Sequence, residues 1–247
     1  MALQFAESVR ILQADPELGL RVPPDQVARA RRELVARVTS LPRGHWDVPH
    51  QGEERARIGF LLLEGLLARD VILAGHTGTE LIGEGDVLQS WVPSRDDGLL
   101  RFHVQWHVLS PVRVAVLDET FARTLASWPQ VMSALLDRAL RRTLQMSIHL
   151  ALLQLSPVET RLHVLFWHLA ERWGHVTPDG VSVRLRMSHE LLGQLVGCQR
   201  ASVTTALRRI ADSGLVERRP DGSWLLHGSP PDELSQFHWP DRAAVAS

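Results

Sequence analysis

Residues 187–210 read MSHELLGQLVGCQRASVTTALRRI, and this stretch decides how the rest of the chain is understood. Ser188 is suited to cap a helix, because its hydroxyl can accept a bond from an orphan amide of the first turn. Leu191, Leu192, Leu195 and Val196 then fall on one helical stripe. Gly197 stands where the chain must turn sharply, and a second apolar pattern, Val203, Leu207 and Ile210, begins near Gln199. That pattern leaves Gln199, Arg200, Ser202, Thr204, Thr205 and Arg208 facing outward, a set of donors matched to base edges and phosphates. Two short amphipathic helices about a glycine form a helix-turn-helix, but they also describe any αα-hairpin. Charge separates the two readings. Between Arg184 and Arg219 there are seven arginines (184, 186, 200, 208, 209, 218 and 219) against Glu190, Asp212 and Glu217, in a chain of net charge -1. A local basic surface in a nearly neutral protein is the footprint of a phosphate-facing element, and double-stranded DNA is the expected partner.

The flanks agree. After the glycine stop of Asp212-Ser213-Gly214, residues 215–218, 220–223 and 224–226 read as strand, turn and strand, the hairpin or wing that follows a recognition helix. His189, beside the cap, and Arg218, in the hairpin, complete the candidate DNA-binding set of Ser188, His189, Gln199, Arg200, Ser202, Thr204, Thr205, Arg208 and Arg218. Upstream, the alternating strand Val181, Val183, Leu185 is placed to pair with the wing.

At 247 residues, with 45% hydrophobic and 22% charged residues, the chain has the balance of a water-soluble globular protein of one large or two ordinary domains. No apolar run approaches a membrane span, no signal peptide is evident at the start, and a cytoplasmic location is expected. The single Cys198 excludes an intrachain disulfide and a thiolate cluster for zinc or iron-sulfur, and its place in the tight turn suits packing. All 27 basic residues are arginine. That uniformity carries no mechanism.

The first 50 residues read as a helical extension, with a helix from Pro24 to about Ser40 presenting Val27, Ala30, Leu34 and Val38 on one side. From residue 57 to residue 117 the period becomes two. Leu100, Phe102, Val104, Trp106 and Val108 alternate with polar residues, Val112, Val114 and Val116 follow a break at Ser110-Pro111, and short pieces at 58–64, 70–73 and 86–91 lie between glycines. A small antiparallel barrel or roll at residues 51–120 follows. Residues 129–155 then form one long helix, with Met132, Leu135, Leu136, Ala139, Leu140, Leu144, Leu150 and Leu153 on its apolar side and Asp137, Arg138, Arg141 and Arg142 outside. About 25 residues at 1.5 Å each span about 37 Å, longer than one roll covers, so a partner helix and a homodimer are expected. In Ser156-Pro157-Val158-Glu159, Ser156 is read as N-cap, Pro157 as the first helical residue and Glu159 as the closing acid of a capping box.

This order, glycine-bearing roll, long helix, capped hinge and winged helix-turn-helix, resembles the Crp/Fnr family of bacterial transcription regulators over about residues 55–228. The family's I/L-G-x-x-V-G-x-x-R-x-x-V pattern is met by Leu192, Gly193, Val196, Gly197, Arg200 and Val203, and its glycine-bearing turns resemble Leu63-Glu64-Gly65 and Ile82-Gly83-Glu84-Gly85-Asp86. The resemblance implies an α+β chain: an N-terminal antiparallel β-roll of cyclic-nucleotide-binding type, a dimerisation helix at 121–155, a winged helix-turn-helix at 156–228 and a tail at 229–247. It implies that Arg200 reads bases and that Ser188 and Ser202 touch phosphate. Ala201 stands where the family often has Glu, and Thr205 where it often has Arg, so a different DNA site is expected.

Cyclic-nucleotide-binding members carry a further Gly-Glu pair and an Arg-Ser/Thr-Ala triplet after the Gly-Asp turn. Here VLQSWVPSRDDGLLRFHVQW follows; Arg95 and Arg101 are present, but Asp96 and Asp97 oppose a phosphate, and cyclic AMP is not expected. His103 and His107 lie too far apart along a strand to chelate one ion, and His45, His50 and His76 are placed in loops. No cofactor, metal or catalytic elbow is expected, and the chain reads as a non-enzyme. The reading is a homodimeric regulator of promoter DNA, with RNA polymerase as protein partner and an unidentified small-molecule effector if any. The alternative is a haem- or small-ligand-binding sensor that acts through protein contacts and keeps a vestigial DNA-binding domain.

Overall fold

The computed structural model describes residues 7–47, 58–88 and 101–231, and its contacts divide the chain into two units, Met1–Met146 and Ser147–Ser247. The chain order is β1 (Glu7–Arg10), α1 (Ile11–Ala14), a 3-10 turn at Pro16–Gly19, α2 (Pro24–Glu33), β2 (Val35–Leu41), β3 (Gly44–His45), β4 (Gly59–Leu73), β5 (His76–Gly83), β6 (Val87–Leu88), β7 (Phe102–Leu117), α3 (Glu119–Leu125) and α4 (Pro129–Leu152). The sheet runs β1-β2-β7-β4-β5, with β3 added to β7 and β6 to β4, antiparallel throughout. With the elements that follow, this is the expected α+β architecture.

The long strands β4 and β7 cross the breaks expected at Gly65 and at Ser110-Pro111. Proline removes one ladder donor, and β4 answers with register shifts between Leu62 and Leu67. Gly65 takes φ +94 there, and a Cβ on it would stand 2.2 Å from the Pro111 carbonyl oxygen, so glycine alone fits the bulge. Inside the roll, Trp46 meets Phe60 and Trp106 edge-on at 5.7 and 5.8 Å, surrounded by Leu41, Leu62, Leu67, Ile82, Val112 and Val114.

The N-terminal segment departs from the expected helical extension. α2 stops at Glu33, and Val35 onward is strand, because Ala36 and Val38 turn into the core shared with Phe121, Leu41 turns into the core around Trp46, and residues 37–41 pair with β7. Arg37, which made the segment look like the polar side of a helix, bonds Asp118 instead. Strands β1 to β3 thus belong to the roll's own sheet, and Ile11, Leu18 and Leu34 share a core with Phe121, Leu125, Trp128, Val131 and Leu135. His45 is likewise in a strand, opposite His107, with their rings 5.5 Å apart, and not in a loop. His50 and residues 95–97 lie outside the described residues.

The long helix is present, with Arg141 exposed and Asp137 paired with Arg21 at the surface as expected of a polar side, but the two other residues of that side turn inward. Arg138 and Arg142, expected in solvent, are the inward residues. Arg138 binds both carboxylate oxygens of Asp15, the Gly85 carbonyl at 2.9 Å and Glu17 at 3.3 Å. One turn on, Arg142 forks onto Glu80 at 2.5 and 2.8 Å and onto the Val87 carbonyl at 3.1 Å, and Arg69 adds a bond to Glu80 at 2.6 Å. A planar guanidinium tolerates burial when a carboxylate and carbonyls meet its fixed fork, which a hydropathy pattern cannot register. Burial by itself raises the pKa of Glu80, but the bond to Arg142 and the charges of Arg142 and Arg69 overcome it and hold the carboxyl below its usual range. On the opposite face Met132, Leu136, Leu140, Leu144 and Leu150 form a continuous apolar stripe, between 42% and 63% exposed.

The second unit continues with α5 (Val158–Trp173), β8 (Gly174–Thr177), β9 (Gly180–Val183), α6 (His189–Val196), α7 (Arg200–Asp212), β10 (Val216–Arg218) and β11 (Trp224–Leu226). Its sheet runs β10-β11-β9-β8, so the strand after Gly180 does pair with the wing. β8 carries no alternating signal in the sequence, because its apolar residue, Val176, faces solvent on an edge. The capping box at the start of α5 is not formed. The helix begins at Val158 with Pro157 as N-cap and no side-chain capping bond, and Glu159 turns instead to Arg209. Leu162, Leu165, Phe166 and Leu169 of α5 are buried, and Phe166 packs on Trp224 with ring centroids 4.8 Å apart. Among the described residues no helix is long and apolar enough to cross a membrane.

Candidate nucleic-acid interface

Ser188 caps α6 as its chemistry requires: its backbone is extended and its Oγ accepts the Leu191 amide at 3.1 Å. Leu191, Leu192, Leu195 and Val196 are buried. The helix ends at Gly197 in the left-handed conformation, φ 65, and the Cys198 amide returns to the Gly193 carbonyl at 2.9 Å. A Cβ on Gly193 would stand 2.6 Å from the Cys198 carbonyl oxygen. The two glycines therefore let α7 start immediately after α6. Arg161 of α5 donates to the Val196 carbonyl at 2.8 Å, satisfying an orphan acceptor at the helix end. Cys198 is half-buried, and burial pushes its thiol pKa up, which favours packing over reactivity.

α7 buries Val203, Ala206 and Ile210 and half-buries Leu207. At about 100° per residue, Arg200, Thr204 and Arg208 line one edge of the outward face. Thr204 bonds His189 of α6 at 2.9 Å and the Arg200 carbonyl at 3.0 Å. Arg218 of β10 lies over the Trp224 ring at 5.4 Å, a stacking contact that leaves its guanidinium edge free to donate. His189 titrates below the ordinary histidine range, first because it is partly buried and then because Arg218 and Arg200 act on it. The structure thus gathers His189, Arg200, Thr204 and Arg218, with Ser188 next to them in sequence. Gln199 is the exposed N-cap of α7 without a side-chain capping bond, and Thr205 is tied back to the Ala201 carbonyl at 3.3 Å. Ser202 falls on the other flank of α7, toward Arg209.

The seven arginines of the sequence count are not equivalent. Arg209 pairs with Glu159, Arg219 with Asp179 at 3.2 Å, and Arg186 donates to the Asp221 carbonyl at 3.1 Å, so these three hold the domain together. Arg208 meets Asp212 only at 3.9 Å with both side chains open to water, a pair of little strength. Among the described residues Arg200 and Arg184 have no side-chain bond, and both are exposed. Arg184 lies between β9 and α6, outside both helical patterns, so its lack of a partner is visible only in the fold.

The exposed cationic edge of α7, the capped α6 and the wing lie within residues 160–227, which match the Crp-like helix-turn-helix domain. The C-terminal part of this chain is therefore a Crp-like helix-turn-helix domain. The Global nitrogen regulator of Synechococcus elongatus is 26% identical over 108 residues, which cover 43% of this chain. The match spans 49%, about half, of the length of that curated relative. Among solved structures, FixK2 from Bradyrhizobium japonicum has a TM-score of 0.60 at 16% identity, covering 78% of this chain and 93% of that one. A CooA mutant from Carboxydothermus hydrogenoformans also scores 0.60, at 15% identity, covering 95% of this chain and 97% of that one. At this level of identity the two likenesses show a shared fold and nothing more.

Proposed function

We propose that this chain is a Crp/Fnr-type regulator that binds a palindromic site in promoter DNA as a homodimer and regulates transcription there, without cyclic AMP. The observation that carries the reading is the edge of α7, where Arg200 is exposed in the first turn with no internal partner while neighbouring arginines are spent on structure. A helix of this kind presents its N-terminal residues to the major groove. Arg200 is the base reader; Gln199, Thr204, Thr205 and Arg208 line the groove, and Ser188, His189, Ser202 and Arg218 approach the backbone from either side. A second copy is expected along α4, whose exposed Met132, Leu136, Leu140 and Leu144 recur every four residues along one face, and the two-fold of such a dimer matches that of a palindrome. RNA polymerase is the partner that a promoter-bound regulator addresses.

Two features support independence from cyclic AMP. Trp46, Phe60 and Trp106 fill the interior of the roll, and the guanidinium groups that α4 sends to it, Arg138 and Arg142, are consumed by Asp15, Glu17 and Glu80. Retention of the protein on its specific duplex, measured by fluorescence anisotropy, is expected to be unchanged when cyclic AMP is added; a marked tightening would refute this part. Arg200→Ala is expected to lose about 1–3 kcal/mol of discrimination per half-site, if the residue forks onto a guanine. Paired titrations on specific and random duplexes read this difference, and equal loss on both would reassign Arg200 to phosphate contact.

A further inference from the structure

His189 opens α6, and the charges of Arg218 in β10 and Arg200 in α7 act on its ring. Its Nδ1 is 2.9 Å from Thr204 Oγ1, which is itself 3.0 Å from the Arg200 carbonyl oxygen one turn earlier. The polarity of this chain of bonds is fixed by its last member. A carbonyl only accepts, and a hydroxyl has one proton to give, so Thr204 donates to Arg200 and its oxygen accepts from His189. Nδ1 therefore carries the hydrogen. In the neutral ring Nε2 is then a bare acceptor, and a bare acceptor gains nothing from a phosphate oxygen; the imidazolium, with N–H at both nitrogens, gains a charge-assisted bond.

We propose that His189 contacts the DNA backbone only in its protonated form, so that each half-site takes up one proton on binding. This deepens, and rests on, the DNA-binding reading above. Threonine 204 is the positioning residue and fixes which ring nitrogen is left for the phosphate. The sign follows from the surroundings. In the free protein partial burial, Arg218 and Arg200 hold the ring neutral below the usual histidine pKa, whereas a phosphate oxygen in the complex favours the cation and raises it. Affinity rises as pH falls through the interval between the bound and free values and is flat above it.

The test uses the full-length protein and one specific duplex at constant ionic strength, with Kd measured between about pH 5.5 and 8, where histidine changes charge. The wild type is expected to weaken as pH rises, by up to about tenfold per pH unit and half-site. His189→Gln is expected to abolish the slope and bind as the wild type does at the alkaline end. His189→Arg, permanently charged, is expected to bind at the acid-end level at every pH. A role of His189 in structure alone would not give the arginine variant the tight, pH-independent curve. Specific binding that is flat with pH in the wild type, or a slope that survives in His189→Gln, would overturn the proposal while leaving the DNA reading intact. Absence of sequence-specific binding at every pH would overturn both.

Discussion

Leu140→Glu combined with Leu144→Glu is expected to turn the protein into a monomer and to abolish tight binding to a palindromic duplex. The two leucines are each 59% exposed, in the middle of the stripe that also holds Met132, Leu136 and Leu150. Completing the burial of a half-exposed leucine is worth about 1 kcal/mol, and a two-fold axis counts each one twice, so the stripe as a whole supplies several kcal/mol to association. Glutamates reverse the sign. Four carboxylates would face one another in an apolar seam, each having to be desolvated against a like charge. Because these positions face away from the roll, while Val131, Leu135, Arg138 and Arg142 make the inward contacts, the monomer is expected to stay folded. Sedimentation equilibrium reads the mass and circular dichroism the helix content. A variant that remains dimeric would place the interface elsewhere; a monomer that binds the full palindrome as tightly as the wild type would remove dimerisation from recognition.

Arg138→Ala is the substitution expected to cost most in stability, about 3 kcal/mol, because removing one partner of a covered ion pair leaves the other charge uncompensated. Asp15, with its side chain 14% exposed, would lose both of its bonds, and the Gly85 carbonyl a third. Arg138 joins α4 to the segment after α1 and to the turn after β5, so the loss is felt by three elements at once. The roll has room for little else there, since a Cβ on Gly85 would sit 2.8 Å from the Arg138 guanidinium. Arg138→Lys keeps the charge but not the two-oxygen fork, and an intermediate loss is expected. Denaturant melts of the three proteins, followed through tryptophan fluorescence, give the comparison. An alanine variant as stable as the wild type would show that solvent reaches Asp15 freely.

The helix-turn-helix was legible because every local signal agreed. Ser188 caps, four apolar residues share one stripe, Gly197 turns, and Val203 and Ile210 point inward, all within residues that are neighbours in sequence. Legibility ended where partners are distant. The helix expected to Ser40 stops at Glu33 because β7, some 75 residues on, offers a ladder to Arg37–Leu41. Arg138 and Arg142 look solvent-facing until Asp15 and Glu80 are brought to them. Charge counting located the DNA-facing region but could not tell Arg200 from Arg209, since only the fold brings Glu159 to the latter. The bond from His189 to Thr204 joins two helices across fifteen positions, and no periodicity announces it.

The most direct measurement is capture of genomic DNA fragments by the purified full-length protein, with no ligand added, followed by sequencing at moderate salt, run in parallel with Arg200→Ala. A palindromic motif retained by the wild type and lost or blurred in the variant is the expected result, because base contacts specify while phosphate contacts only hold. Retention that is blind to sequence, falls with salt alone and is the same for both proteins would contradict a regulator that reads its site through α7.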